Sequence, residues 1–587
     1  MDILFMVLQL LCGLSIFLYG MDVMGDALKK AAGTRLKSLL GKMTSNPLKG
    51  FLLGLIVTAV IQSSSATTVM VVGFVNSGTM TLLQSVGVII GANLGTAVTA
   101  WLTAPAAMGQ SELVGGWTDL LKTDAWMPIL AVIGIILIMF VKRGKKKDFG
   151  AVLIGFAVLM VGMELMSGAV DGIPDETLES ILTVFKNPVL GVLAGLVLTV
   201  IVQSSSASVG ILQTLAGAGG SMSLGVALPI VVGQNIGTCI TALLSSIGAN
   251  KNGKRAAIIH LAFNILAALI VLPLFYLLIW LFSIIDTGMF VDAWWIAIIH
   301  TMYKVVAIVI LFPFYKQLEK ISRIVVRDKK GEEESVNLLD ERLYETPSIA
   351  AGRATEVTYD MAGISFDAFK QSMELFNGPY DAKLADEIRE LENKADKYED
   401  ALGSYLVKLS ARDMDEGDSE QITKLLHLIG DLERISDHAV NIVESAEEIK
   451  DKKIVFSAEA TRELGILQSA VTEILGMTYD ALINNDVKLA TEVEPLEEVI
   501  DDLRDQIKLN HIIRLQKSEC TIEHGFVLSD LLNNFERVSD HCSNIAGCVV
   551  EISRHDALDM HKYLDQMKQG SEEFNQKYNA YKTKYAI

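Results

Sequence analysis

The sequence offers little sulfur chemistry. Its five cysteines (Cys12, Cys239, Cys520, Cys542 and Cys548) are odd in number and scattered, with no Cys-x-x-Cys spacing. That excludes a disulfide framework and a zinc knuckle. No Gly-x-Ser-x-Gly elbow occurs, and no His or Asp stands beside the serine tracts described below, so a serine-dependent membrane enzyme would lack an activating base. Beyond residue 330 there is no apolar run long enough to cross a bilayer. Met1–Leu18 is apolar but lacks the basic stretch and small-residue cleavage site of a signal peptide, and reads as a first membrane helix.

What is present divides the chain in two. Residues 1–330 hold 23 basic and 16 acidic side chains, whereas residues 331–587 hold 27 and 53. The first part carries long apolar runs, among them Trp126–Val141, Ala151–Met166, Ala256–Phe282 and Ala293–Phe312, each about as long as a hydrocarbon core demands of a helix. Basic clusters at Lys29–Lys37, Lys142–Lys147, Lys251–Arg255 and Lys316–Arg327 should be cytoplasmic, and the short acidic connections between them external. This predicts a multi-pass protein of a bacterial-type inner (plasma) membrane, with the amino terminus outside and the acidic tail cytoplasmic. Residues 110 and 290 are then external, and residues 145, 252 and 340 internal. The bilayer is a partner by necessity; nothing in the acidic balance points to nucleic acid.

The chain also repeats itself. Asn46-Pro47 with Gly50, Gly54, Leu55 and Thr58 leads into Gln62-Ser63-Ser64-Ser65-Ala66; 141 residues later Asn187-Pro188 with Gly191, Gly195, Leu196 and Thr199 leads into Gln203-Ser204-Ser205-Ser206-Ala207. Downstream, Gly91-Ala92-Asn93-Leu94-Gly95-Thr96 is matched by Gly233-Gln234-Asn235-Ile236-Gly237-Thr238, and upstream Gly20-Met21-Asp22 by Gly162-Met163-Glu164. The repeats run over about 15–103 and 157–247. The basic clusters start them on opposite sides of the membrane, so they are inverted, an arrangement that places binding sites near the midplane at the repeat interface.

Three consecutive serines step about 100° each around a helix, so an unbroken helix would turn a hydroxyl toward lipid. The helix is therefore expected to break at each tract. Broken helices are tolerated at membrane depth where they line a cavity. Hydroxyls, the Gln amide and helix N-terminal N–H groups can donate to an oxyanion, and hydroxyl and carbonyl oxygens can meet a cation. With no evident fixed cation at the tracts, co-bound sodium would offset the desolvation of phosphate. The alternative is that Ser and Gly only allow close helix packing. Asp22 and Glu164, and the i, i+4 pairs His260/Asn264 and His300/Lys304, are weaker leads whose ordinary fate is solvation or packing.

These paired tracts resemble the type II sodium/phosphate cotransporter family over residues 1–320. The resemblance implies sodium-driven phosphate transport, with phosphate and sodium held by Gln62, Ser63, Ser64, Ser65, Thr67, Asn93 and Thr96 of one repeat and Gln203, Ser204, Ser205, Ser206, Ser208, Asn235 and Thr238 of the other. Relatives often continue Gly-Thr with Thr or Ser; this chain has Ala97 and Cys239, which bears on one sodium position or on ion stoichiometry. A phosphate sensor that does not transport is the alternative.

After a charge-rich linker at 321–344, the tail repeats too. Leu391–Asp396 corresponds to Leu496–Asp501, and Glu433–His438 to Glu536–His541; helical periodicity and breaks near Asn377-Gly378, Glu416-Gly417 and Asn484-Asn485 predict a pair of three-helix bundles. The expected fold is therefore all-α: a polytopic membrane domain of two inverted repeats with broken helices, then a soluble helical domain at 345–555 and a polar terminal helix in 556–587. Each bundle carries two Glu-x-x-x-Asp pairs: Glu392/Asp396, Glu433/Asp437, Glu497/Asp501 and Glu536/Asp540. Each pair shares one helix face, a repulsive spacing, so four carboxylates per bundle could converge on a hard or borderline cation. The motifs resemble the PhoU family, which implies divalent or trivalent metal (iron, manganese or zinc) at those residues, a regulatory role, and a capacity to pair that leaves a homodimer open.

Overall fold

The structure is a computed structural model and describes residues 2–41, 46–107, 123–141, 144–172, 175–217, 222–282, 286–327, 339–414, 416–554 and 572–587. Among these the secondary structure is helical throughout, with one isolated β-bridge between Ser223 and Phe290. Two compact units form, Met1–Ser348 and Ile349–Ile587. Residue 110, expected outside the membrane, falls beyond the described residues.

Among the described residues of the first unit, six helices are long and apolar enough to cross a membrane, within Leu4–Ala31, Leu82–Pro105, Lys146–Val170, Leu224–Ser245, Lys251–Phe282 and Ala293–Val325; a seventh candidate is the bent pair Glu176–Val184 and Pro188–Val202. The repeat is visible in five helices. Helix α1 (Asp2–Gly41) is followed by α2 (Pro47–Ile61), α3 (Ser64–Asn76), α4 (Leu82–Gly95), α5 (Ala97–Ala107) and α6 (Thr123–Phe140). Helix α7 (Lys145–Asp171) is followed by α8 (Asp175–Val184), α9 (Pro188–Val202), α10 (Ser205–Gly217), α11 (Leu224–Gly237) and α12 (Cys239–Ser245). Of these, α1, α2, α3, α4 and α5 are answered by α7, α9, α10, α11 and α12. Helices α13 (Lys251–Phe282), α14 (Ala293–Leu311) and α15 (Tyr315–Val325) complete the bundle.

The repeated dipeptide Asn-Pro starts α2 and α9. The side chains of Asn46 and Asn187 accept from the N–H groups of Leu48 (2.9 Å) and Val189 (3.0 Å), and the proline takes a first-turn position where its missing N–H costs nothing. The repeated glycines let backbones touch. A Cβ on Gly91 would lie 1.9 Å from the Phe51 carbonyl oxygen, and one on Gly233 2.0 Å from that of Val192, so α4 presses on α2 and α11 on α9 in the same way.

The charge-rich linker is structured at both ends. Residues 321–325 continue α15, and a 3₁₀ turn, Glu341–Glu345, clasps the carboxyl end of α3. Asn76 donates to the Asp340 carboxylate (2.6 Å), Arg342 donates to the carbonyls of Ser245 (2.6 Å) and Ile247 (3.1 Å), and Leu343 is buried against Gly73. These contacts give a short polar segment the apolar anchor and satisfied charges it needs to stay put.

In the second unit, α16 (Pro347–Asn377), α17 (Ala382–Ser410) and α18 (Glu416–Lys452) form one set, and α19 (Ala458–Asn484), the single turn α20 (Val487–Ala490), α21 (Val493–Gln516) and α22 (Ile522–Arg554) the other. This is the expected pair of three-helix bundles. They meet through Phe369 and Phe535, edge to face at 6.4 Å, and through His438 and His541, stacked at 5.7 Å. The terminal helix Glu572–Lys584 is tied to the second bundle by Lys582–Asp502 (2.8 Å) and Lys584–Glu473 (2.5 Å).

Candidate functional site

Each serine tract interrupts the helix, as the hydroxyl argument requires. Gln62 and Gln203 close α2 and α9 in the left-handed region (φ 58° and 55°), their N–H groups donating to the carbonyls of Thr58 and Thr199 at 2.8 Å. A non-glycine residue at positive φ is uncommon, and its recurrence at matched positions marks a built elbow. The chain restarts at once: Ser63 accepts from the Ala66 N–H (3.1 Å) and Ser204 from the Ala207 N–H (3.2 Å), opening α3 and α10.

The two restarts face one cleft of about 520 Å³, lined by Gln62, Ser63–Ser65, Gln203 and Ser204–Ser206. Two helix amino ends therefore open on the same space, each carrying about half a positive charge and first-turn N–H groups without intrahelical acceptors. The Ser64 hydroxyl is buried and has no hydrogen-bond partner among the described residues. The arrangement offers convergent donors without a bare cation, suited to a hydrated or ion-paired oxyanion.

Asp22, Asp26 and Lys29 also line the cleft, and Lys29 is paired with Asp26 at 2.9 Å. The expectation of no fixed cation near the tracts is thus corrected: one ammonium is present, and its neighbour neutralises it. Glu345 of the clasp reaches the same cleft. Asp22 and Glu164, although equivalent in the repeat, differ here, since only Asp22 lines the cleft.

The other proposed ligands stand behind this wall. Thr67 and Ser208 bond the hydroxyl groups of Thr58 (3.0 Å) and Thr199 (2.9 Å), joining each half-helix to its partner. Asn93 donates to Asn264 (2.9 Å), Thr96 to the Asn93 carbonyl (2.9 Å), Asn235 to the Val231 carbonyl (2.8 Å) and Thr238 to the Gln234 carbonyl (2.9 Å). Two residues that sequence reasoning passed over connect the layers: Thr99 donates to Gln62 (2.9 Å) and Thr241 to the Ser65 hydroxyl (3.2 Å). Carrying the repeat alignment three residues past Thr96 and Thr238 would have found both.

Of the Glu-x-x-x-Asp pairs, those of the second bundle bring three carboxylates together, whereas among the described residues Glu392, Asp396, Glu433 and Asp437 of the first bundle form no such group. Single oxygens of Glu497, Asp501 and Asp540 lie within 4.8 Å of one another, and burial first, then their acidic neighbours, raise Asp501 and Asp540 above the usual carboxylate range. Glu536 is drawn off by Arg504 (2.6 Å), which also approaches Asp501 (3.4 Å). In the first bundle burial, and then Asp437, push Glu433 up to about 7; burial and the same aspartate raise Glu392. Oxygen-only, mutually repelling donors fit a hard cation, which would be held by Glu497, Asp501 and Asp540. His438 and His541, which end the two repeated motifs, are bonded to Asn534 (2.8 Å) and Asp431 (2.9 Å) and hold the bundles together.

Comparison with known proteins is consistent with both halves. The Na+/Pi-cotransporter family profile matches residues 16–168 and 158–321, and the PhoU domain profile residues 358–446 and 465–549. YjbB of Escherichia coli K12, named for inorganic phosphate export, is 26% identical over 557 residues, covering 93% of this chain and 97% of its own length. Sodium-dependent phosphate transport protein 2A of Rattus norvegicus is 38% identical over 97 residues, 16% of this chain and 15% of that one. A PhoU homologue of Thermotoga maritima is 28% identical over 151 residues, 26% of this chain and 63% of its own.

Proposed function

Because the chain belongs to the Na+/Pi-cotransporter family, and so to a family of phosphate transporters, we propose that it couples phosphate movement to sodium by alternating access, with the anion held between the amino ends of α3 and α10. The observation that carries this reading is the single cleft lined by both Gln-Ser-Ser-Ser tracts. Ser64 and Ser205 donate to phosphate, Gln62 and Gln203 fix the elbows, and Asn93, Thr96, Asn235 and Thr238 form the layer that answers the ions. The membrane is the inner (plasma) membrane of a bacterial-type cell, the amino terminus is outside and the second unit cytoplasmic. Lys29 and Glu345, both on cytoplasmic segments in this topology, line the cleft, which is the inward-open arrangement.

The relative named for export favours a second reading of direction, in which the same site releases phosphate outward. Reconstituted protein should move phosphate across proteoliposomes faster under a sodium gradient than under potassium, and reversing the gradient gives the direction. Phosphate binding with no flux in either direction would leave the sensor reading standing.

The second unit acts as a regulatory domain that binds a divalent or trivalent cation through Glu497, Asp501 and Asp540, and more weakly at Glu392, Asp396, Glu433 and Asp437; Glu536 serves through Arg504. The bound cation would neutralise carboxylates that otherwise repel. Glu433 makes this measurable. Its folded pKa is raised from 4.5 to about 7, so the stability it contributes is complete below pH 4.5 and is lost as pH rises to about 7. Chelator-treated full-length protein should show a second-unit melting transition that falls between pH 5 and 7.5, flattens in Glu433→Gln, and recovers with manganese, zinc or iron. An equal fall in Glu433→Gln would remove this residue from the account.

A further inference from the structure

A lysine is buried in the membrane bundle with no carboxylate to answer it. Lys304, in the middle of α14, is 2% exposed, and among the described residues no ion pair reaches it. Its ammonium donates to the main-chain carbonyl of Asn93 at 2.6 Å, in the last turn of α4, where the Thr96 hydroxyl also donates. Carbonyls of a last helical turn lack intrahelical partners and carry the negative end of the helix dipole. His300, one turn earlier on α14, and His260 on α13 are both buried, and among the described residues neither Nδ1 has a hydrogen-bond partner. A charge so placed is expensive, and intramembrane ionisable groups are functional by default.

The second repeat treats the same position differently. The Asn235 carbonyl, the repeat equivalent, is met by the Cys239 side chain at 3.8 Å, a thiol that also lies 3.6 Å from the His260 carbonyl. A thiol is a weak donor. Beside it Gln234 stands where the first repeat has Ala92; its amide N–H donates to the Ser208 carbonyl (2.8 Å), and its Oε1 is buried and unpartnered. Among the described residues the first joint thus holds an ammonium at its carbonyl, and the second an unpartnered amide oxygen beside a thiol.

We propose that Lys304 is a tethered cation that takes the place of a mobile ion at the α4–α5 joint, so that of the two symmetric joints only the second, at Gln234 and Asn235, accepts sodium. The inference rests on the sodium coupling proposed above and sets its stoichiometry. A protonated lysine there neutralises the helix end and contributes to phosphate desolvation as a sodium ion would, but it does not dissociate, and therefore adds nothing to the ion count per cycle.

Two assays test it on full-length protein. In proteoliposomes, the sodium gradient that just balances a phosphate gradient gives the coupling ratio; Lys304→Met should raise it by about one sodium, and Lys304→Arg should leave it as in wild type. In detergent, Lys304→Met should acquire a sodium-saturable rise in melting temperature beyond that of wild type, with potassium inert. If Lys304→Met keeps both the wild-type ratio and the wild-type sodium dependence of melting, the proposal is overturned. Should that variant not fold, Lys304→Gln retains a donor to the carbonyl; independently, Gln234→Leu should raise the sodium needed for half-maximal flux roughly tenfold, and an unchanged value also overturns it. Wild-type flux indifferent to sodium would sink the coupling proposed above, while the melting comparison would still decide Lys304.

Discussion

Replacing Ser64 by alanine is expected to weaken apparent phosphate affinity roughly tenfold or more, and Ser205→Ala to do the same. Each hydroxyl sits in the first turn of a half-helix that opens on the shared cleft. Among the described residues no partner competes for the Ser64 hydroxyl. Removing one donor from a buried anion costs on the order of 1–3 kcal/mol, and about 1.4 kcal/mol is a decade in affinity. Coupling between two ligands is reciprocal, so the sodium requirement should rise in both variants. Val69→Ile supplies the comparison, since a modest volume change off the cleft usually costs less than 1.5 kcal/mol. The measurement is phosphate and sodium dependence of flux at matched protein incorporation. Unchanged dependence in both serine variants would return the tracts to a packing role.

The second large effect concerns fold. Gly91→Val and Gly233→Val should each yield little folded protein, because a Cβ at those places would sit 1.9 and 2.0 Å from a backbone oxygen that no rotamer change can move. The helices would have to separate along the whole α2–α4 or α9–α11 contact, which places the cost beyond the ~4–5 kcal/mol that bounds most point substitutions. Gly476 in α19 is the contrast: nothing lies within 4 Å of its Cβ position, so Gly476→Ala should be neutral or stabilise by about 0.4–1 kcal/mol. Monodisperse yield in detergent and thermal unfolding check both. Normal yield from Gly91→Val would mean that the helices stand further apart than described.

Sequence alone made the architecture legible where a physical constraint was written twice. The doubled Asn-Pro and Gln-Ser-Ser-Ser announce a cap and an elbow at a fixed distance, and both form. The glycines and serines of the repeat also part by position: Gly91 and Gly233 touch backbone, whereas Ser64 and Ser205 line the cleft. What stayed hidden depends on distant parts of the chain. Lys29 meets the tracts because α1 passes beside them, Glu345 arrives from far along the chain, and the Lys304 contact joins residues 211 positions apart. No local pattern encodes such meetings. In the tail, spacing placed the carboxylates on common faces, but the diversion of Glu536 to Arg504 follows from how α21 and α22 pack.

The clasp at Glu341–Glu345 has a mechanical consequence. Helix α3 is 13 residues long, a rod of about 20 Å, with the linker fastened along its carboxyl half at Gly73 and Asn76 and the serine tract at its amino tip. A stiff rod carries a displacement of one end to the other, so any shift of the linker at residues 341–345 would move the amino tip of α3 as well. The serine tract that lines the cleft is therefore mounted on a part with a handle.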